Sequence, residues 1–191
     1  ALARTGWGKP NRAINGKMPK SISSDWGKTW TYTDSPFPVI ASGQRLVLMR
    51  LQEGPILFVS FTGPMTRAQE GGRYPDDVGV GDTFNPGGTD FTDADGKSFK
   101  GYGMFAALSY DEAETWPDRK LLTPGSGSYK KCGGWTGDFT ASPTRAEPGG
   151  YLTATQTPDG VIHLLSSAWH YRFNLAWLKT PNEAVGSNKE D

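Results

Sequence analysis

His170, Tyr171 and Arg172 stand consecutively near the end of this chain and combine an imidazole, a phenol and a guanidinium. Imidazole moves protons near neutral pH, phenol donates or accepts one, and arginine clamps a carboxylate through two parallel hydrogen bonds. Arg45 and Arg145 add further charge of the kind that holds an anionic group, and Trp135 offers a flat face for a sugar ring. Tyr151 is a second phenol, and Tyr129 and Glu147 stand in the same stretch. A phenol has an ordinary pKa of about 10 and needs a neighbouring base before it can attack. A plain alternative stands beside each reading: residues 170–172 as a simple turn, Tyr151 as a strand-end aromatic, Arg45 as a strand cap or surface ion pair. His163, between Ile162 and Leu164, reads as a packing or partly exposed residue.

Bulk properties narrow the classes. The 191 residues carry 20 Lys plus Arg and 20 Asp plus Glu, so no overall field favours nucleic acid or an anionic membrane, and neither is an expected partner. The longest apolar runs, 45–51 and 55–61, are strand length and far short of a membrane span. With 25 Gly, 14 Pro and 12% aromatics, the composition favours an all-β protein rich in turns. Cys132 is the one cysteine, so no internal disulfide forms, and its Gly-rich setting reads as incidental. Asp93-Ala94-Asp95-Gly96 opens like a calcium loop but lacks a third early ligand and the closing Glu, so it reads as a turn. Neither a metal nor a cofactor is expected. The acidic stretch 71–95, with Asp76 and Asp77 adjacent, reads first as a solvated loop and second as a lid over the site.

The elements that must position these groups follow from punctuation and alternation. Strands are expected at 18–23, 29–33, 45–51, 55–62, 102–109, 115–122, 151–157, 161–166 and 173–179, with no helix. A Pro-rich link occupies 35–38, a long insertion 63–100 and a second long loop 123–150. Residues 1–181 form a single domain, and 182–191 form a polar tail that frays. Two turns share one pattern, S-x-D-x-[G/A]-x-T-W: Ser23 to Trp30 and Ser109 to Trp116. In each, the Asp side chain can bond amides of its own turn, Gly supplies positive φ, and Thr and Trp resume a strand. Ala113 replaces the Gly of the first copy, which predicts a distorted second turn.

This pattern resembles the Asp-box of sialidase-type β-propellers. The later run 108–117, Pro124-Gly125, and Tyr151 leading into Pro158-Asp159-Gly160 is similar to the end of such propellers. The resemblance implies an all-β, partial β-propeller of four-stranded antiparallel blades, part of a six-bladed ring. Residues 18–33 would be half a blade, 45–122 a whole one and 151–179 three strands of another. Closed propellers use about four to eight blades, so missing blades, a companion chain or self-association is expected. In up-and-down blades the two Ser/Asp turns share one rim with the turns at Glu53-Gly54 and Asp159-Gly160. Arg45, Tyr129, Trp135, Arg145, Glu147, Tyr151, His170, Tyr171 and Arg172 then gather on the opposite rim, where sialidase-like proteins bind substrate.

By its spacing to Pro-Asp-Gly, Tyr151 matches the tyrosine that sialidases use as nucleophile, a neutral phenol that the substrate's carboxylate does not repel. Aligning 51–54 with that family's Leu-Pro-Asp-Gly turn puts Arg45 where the family carries its base, a Glu. Phe61 and the Gly101 region fall where two substrate-binding arginines are expected. The implied function is a glycoside hydrolase acting on an acidic or decorated glycan. Tyr151, His170 and Arg45 would be catalytic, and Arg172, Tyr171, Arg145 and Trp135 would bind substrate. A polysaccharide lyase and a non-catalytic glycan-binding scaffold stand as alternatives. The same resemblance favours a secreted or periplasmic location.

Overall fold

A computed structural model describes residues 1–3, 13–40, 43–63, 88–129, 139–167 and 169–183. They form an all-β structure. Its elements are β1 Lys17–Ile22, β2 Thr31–Pro38, β3 Val47–Arg50, β4 Ile56–Phe61, β5 Thr89–Thr92, β6 Ser98–Gly101, β7 Met104–Ser109, β8 Asp118–Leu121, β9 Gly127–Tyr129, β10 Phe139–Ala141, β11 Thr153–Gln156, β12 Ile162–Leu165 and β13 His170–Phe173, then one helical turn, α1 Leu175–Leu178. The sheets are β1–β2, β3–β4–β7–β8, β5–β6, β9–β10 and β11–β12–β13, and every pairing within them is antiparallel.

The four-stranded sheet holds the centre. Strands β4 and β7 read Ile-Leu-Phe-Val-Ser-Phe and Met-Phe-Ala-Ala-Leu-Ser, apolar on both faces, and all but Ile56 are buried. Such continuous runs require cover on both sides. One face, with Phe58 and Phe105, is covered by Phe37 of β2, whose ring stacks on Phe58 at 4.2 Å between centroids. Trp116 meets Phe37 edge-on at 5.0 Å. Burying one such ring contributes about 1.5–3 kcal/mol, and a well-oriented pair about 0.5–1.5 more. The other face, with Leu57, Val59 and Leu108, belongs to the same core as Ile162 and Leu164 of the three-stranded sheet.

Several expectations needed correction. The Pro-rich 35–38 is not a link but the end of β2, where Phe37 anchors the core. Its prolines are tolerated because β2 is an edge strand and the register shifts between Lys17 and Pro19. The insertion 63–100 contains the hairpin β5–β6, and the loop 123–150 contains β9–β10. The strand expected at 173–179 stops at Phe173, where Asn174 caps α1 by accepting from the Trp177 amide. The tail is held at its start: Asn182 is buried, donates to the Thr92 and Arg119 carbonyls and accepts from the Leu121 amide. Lys120 Nζ donates to Thr180 and Pro181 and lies 4.5 Å from the Trp177 ring centre. Residues 184–191 lie outside the described residues.

The two Ser/Asp turns are one structure built twice. Ser23 Oγ donates to Asp25 and accepts from the Gly27 amide at 2.7 Å; Ser109, Asp111 and the Ala113 amide (2.9 Å) repeat this. Asp25 then accepts from the Thr29 amide and hydroxyl, as Asp111 does from Thr115. Trp26 and Gly27 take φ of 60° and 85°, and Glu112 and Ala113 take 58° and 70°. The expected distortion at Ala113 is absent. The Asp and Ser bonds impose the left-handed conformation, which for alanine costs about 1–2 kcal/mol.

Register orders the two rims. Strand pairs place the turns at 22–31, 51–55, 109–118 and 157–161 at one end of their sheets. Side chains knit this end together: the Gln52 amide donates to Gln156 at 2.8 Å, Gln156 to Glu53, and Arg50 pairs with Glu112. The starts of β3, β7 and β11 and the ends of β4, β8 and β12 lie at the other end.

Two predictions follow from the paired turns. Ala113→Gly relieves the left-handed alanine and should stabilise the protein by about 1 kcal/mol, raising Tm by about 2–4 °C; an unchanged or lower Tm contradicts the strain. Hydrogen bonds from each turn's Thr hydroxyl, then its amide, and from its Ser hold Asp25 and Asp111 at pKa about 2. Since these pKa values are depressed, the stability they add is complete above about pH 4 and is lost as pH falls toward 2. Urea midpoints measured from pH 5 to 2 should therefore fall less steeply in the Asp25→Asn/Asp111→Asn double variant than in the parent.

Candidate functional site

The rim opposite the Ser/Asp turns is assembled from three chain segments that sequence separates widely. Gln44 is buried, and its amide donates to the Gly63 carbonyl at 3.0 Å and the Pro148 carbonyl at 3.1 Å. The Arg45 amide donates to Gly150 at 3.0 Å, so the approach to β3 runs parallel to the approach to β11. Gly103 takes φ of +100°, and a Cβ there would strike the Ala146 carbonyl. That close approach lets the Met104 amide donate to the Glu147 carbonyl at 2.8 Å. Residues 44–45, 102–104 and 146–151 thus form one fixed rim.

Two pairs of side chains stand on it. The Arg45 guanidinium lies over the Tyr151 ring, 4.3 Å from its centre, a cation–π arrangement that leaves Tyr151 41% exposed. The Tyr151 amide is fixed by the Ser167 hydroxyl at 3.0 Å. Four residues earlier, Glu147 is fully buried and accepts from the Tyr171 hydroxyl at 2.9 Å. A buried carboxylate costs several kcal/mol unless donors surround it, so this phenol is part of what makes Glu147 tolerable. Tyr110 and Asp118 form a second phenol–carboxylate pair, but at the Ser/Asp rim. Desolvation, then the bond to Asp118, pushes the Tyr110 phenol up to about 12.

Strand alternation divides the expected triplet. Tyr171 faces the core side of β13 beside Leu164, whereas His170 and Arg172 occupy the exposed side. His170 bonds His163, Nε2 to Nδ1 at 2.9 Å. Residues 170–172 are therefore the start of β13, which corrects the turn expected there. Arg172 makes no ion pair among the described residues. Arg145 lies at the same rim as Arg45, with its guanidinium 5.9 Å from the Tyr102 ring centre. Tyr129 stacks on Phe139 and meets Trp169 edge-on. Trp135, Cys132, Asp76 and Asp77 lie outside the described residues. Among the described residues, no three His, Cys, Asp or Glu side chains converge as a metal site.

The sequence placed Glu147 on this rim but gave no sign that it serves Tyr171, 24 residues away. Gln44 and Ser167 were missed altogether, since one buried amide and one loop hydroxyl leave no pattern. No family model, curated protein or solved structure matches the chain.

Tyr171→Phe removes one donor from a buried carboxylate and should destabilise the protein by about 1–3 kcal/mol in urea unfolding. A change below about 0.5 kcal/mol would mean that Glu147 does not depend on this phenol.

Proposed function

We propose that the chain is part of a sialidase-like β-propeller whose rim of residues 44–45, 147–151 and 171 acts on an acidic glycan as a glycoside hydrolase. The propeller reading is supported by the up-and-down order β3–β4–β7–β8 and the parallel contact between the approaches to β3 and β11. The unequal fates of two equivalent tryptophans support it too. Trp116 follows the second turn, is 6% exposed and is wedged against Phe37 of the neighbouring sheet. Trp30 follows the first turn and is 45% exposed, as it would be with the preceding blade lacking. A companion chain, further blades or self-association would cover it.

The observation that carries the catalytic reading is the Tyr171–Glu147 bond at 2.9 Å. A phenol attacks only with a base in hydrogen-bond reach, and this pair meets that geometry. In the proposed reaction Tyr171 Oη attacks the anomeric carbon, Glu147 takes the phenolic proton, and the glycosidic carbon–oxygen bond breaks. Tyr151, exposed at the rim, protonates the leaving oxygen. Water then attacks the anomeric carbon and gives its proton to the Tyr151 phenolate, while Glu147 returns its proton to Tyr171 as the tyrosyl–sugar bond breaks, so both phenols are restored. Arg45 holds the sugar carboxylate. His170 and Arg172, on the exposed sheet face, stand outside this centre.

One observation favours the rival reading of a non-catalytic glycan-binding propeller: Glu147 is wholly buried, as a structural carboxylate would be. Both readings are separated by assaying release of the aglycone from aryl glycosides of sialic and uronic acids. Tyr171→Phe and Tyr151→Phe should each lower kcat at least about 100-fold, the scale of general acid–base catalysis, while glycan binding persists. Binding without turnover in the parent protein would decide for the scaffold, and release of an unsaturated, ultraviolet-absorbing sugar would decide for a lyase.

A further inference from the structure

Both histidines in the 191-residue chain meet on the exposed face of the β11–β12–β13 sheet, with His163 Nδ1 and His170 Nε2 at 2.9 Å. Their positions follow from register. His163 pairs across β13 with Arg172 and His170 pairs with Leu165, so the imidazoles are diagonal neighbours on one face. The rings are nearly parallel, 20° apart, with centroids separated by 5.1 Å. Neither ring belongs to the core, and neither is needed by the catalytic centre proposed above.

We propose that His163 and His170 form a bidentate site for a tetragonal divalent transition ion, best satisfied by Cu2+. Metal–imidazole bonds of about 2.0–2.1 Å at a right angle place two nitrogens about 2.9 Å apart, which is the spacing found. A tetrahedral angle with the same bonds requires about 3.3–3.4 Å, so a zinc-type site would have to push the rings apart. Tetragonal nitrogen and oxygen sites select Cu2+ or Ni2+, and Cu2+ binds more tightly of the two. The hydrogen bond joining the rings is exchanged for the metal. Its proton moves to the far nitrogen of the same ring, and each ring swings by about 45° so that nitrogens now facing each other meet a metal at a right angle in solvent.

The rest of the shell comes from water, because no third His, Cys, Asp or Glu joins the pair among the described residues. Thr155, opposite His163 in the register, adds only a hydroxyl to the same face. Arg172, opposite on the other side, opposes a bound cation, and its exposed stem lets the charge swing away. The site is therefore open and exchangeable, with free positions for a second ligand such as a sugar hydroxyl or carboxylate. It does not rest on the hydrolase reading.

The test uses the full chain carrying Cys132→Ser, so that the thiol neither binds nor reduces the ion. Cu2+ alone is titrated in a non-coordinating buffer and followed by electron paramagnetic resonance. One equivalent should bind with a tetragonal spectrum split by two nitrogens. His163→Ala and His170→Ala should each weaken binding at least tenfold and leave one nitrogen or none. Both positions are on the sheet surface, and His163→Asn and His170→Asn provide the same readout should either alanine disturb the strand. Absence of binding in the parent, a spectrum without two nitrogens, or equal affinity in the histidine variants would overturn the proposal.

Discussion

The Ser–Asp hydrogen-bond set at each tight corner is the constraint from which the rest of this structure follows. One carboxylate bonds an amide and a hydroxyl four residues on, and one serine hydroxyl bonds both that carboxylate and a second amide. These bonds hold two successive residues at positive φ, even where the second is alanine. The chain therefore reverses in a fixed geometry. In the second copy it delivers Trp116 into the gap between two sheets. Packing and direction are thus set by the same few polar atoms.

A fixed corner also gives the sheets polarity. Because β4, β7 and β8 alternate about it, the approach to β3, the approach to β7 and the segment leading to β11 converge at the far end. Backbone bonds between Arg45 and Gly150, and between Met104 and Glu147, then lock that convergence. Loops at the turn rim interlock through Gln52, Gln156 and Glu53, leaving their polar groups engaged with one another. Side chains able to handle a substrate stand on the other rim: Arg45 over Tyr151, and Tyr171 on Glu147. The same polarity explains why such unlike residues share one place despite their separation in the chain.

Much of the fold was legible because its signals are local. Apolar runs bounded by turn residues located β3, β4, β7, β8, β11 and β12, and the repeated Ser-to-Trp pattern located both corners. What was missed depends on tertiary context. Phe37 between two prolines reads as a link, yet its ring fills the space between sheets, and burial overrides the local signal. Asn182 reads as frayed tail, but its amide finds three backbone partners that no local pattern announces. At the candidate site, residue types were legible and partners were not. Tyr171 and His170 look like one cluster in sequence, and only strand alternation sends one to Glu147 and the other to His163. Ala113 carries the opposite lesson, since a residue that predicts distortion sits in an unaltered turn at an energetic cost.

On the proposed reading the two rims divide the labour, with corners for architecture and the Tyr151 rim for ligand. Hydrogen–deuterium exchange of the full chain, with and without a saturating sialylated or uronate-bearing oligosaccharide, tests it most directly. Protection should appear in peptides covering 44–46, 102–104, 147–151 and 170–171, with no change at 23–30, 51–55 and 109–116. Protection confined to the Ser/Asp corners, with the Tyr151 rim unaffected, would contradict it.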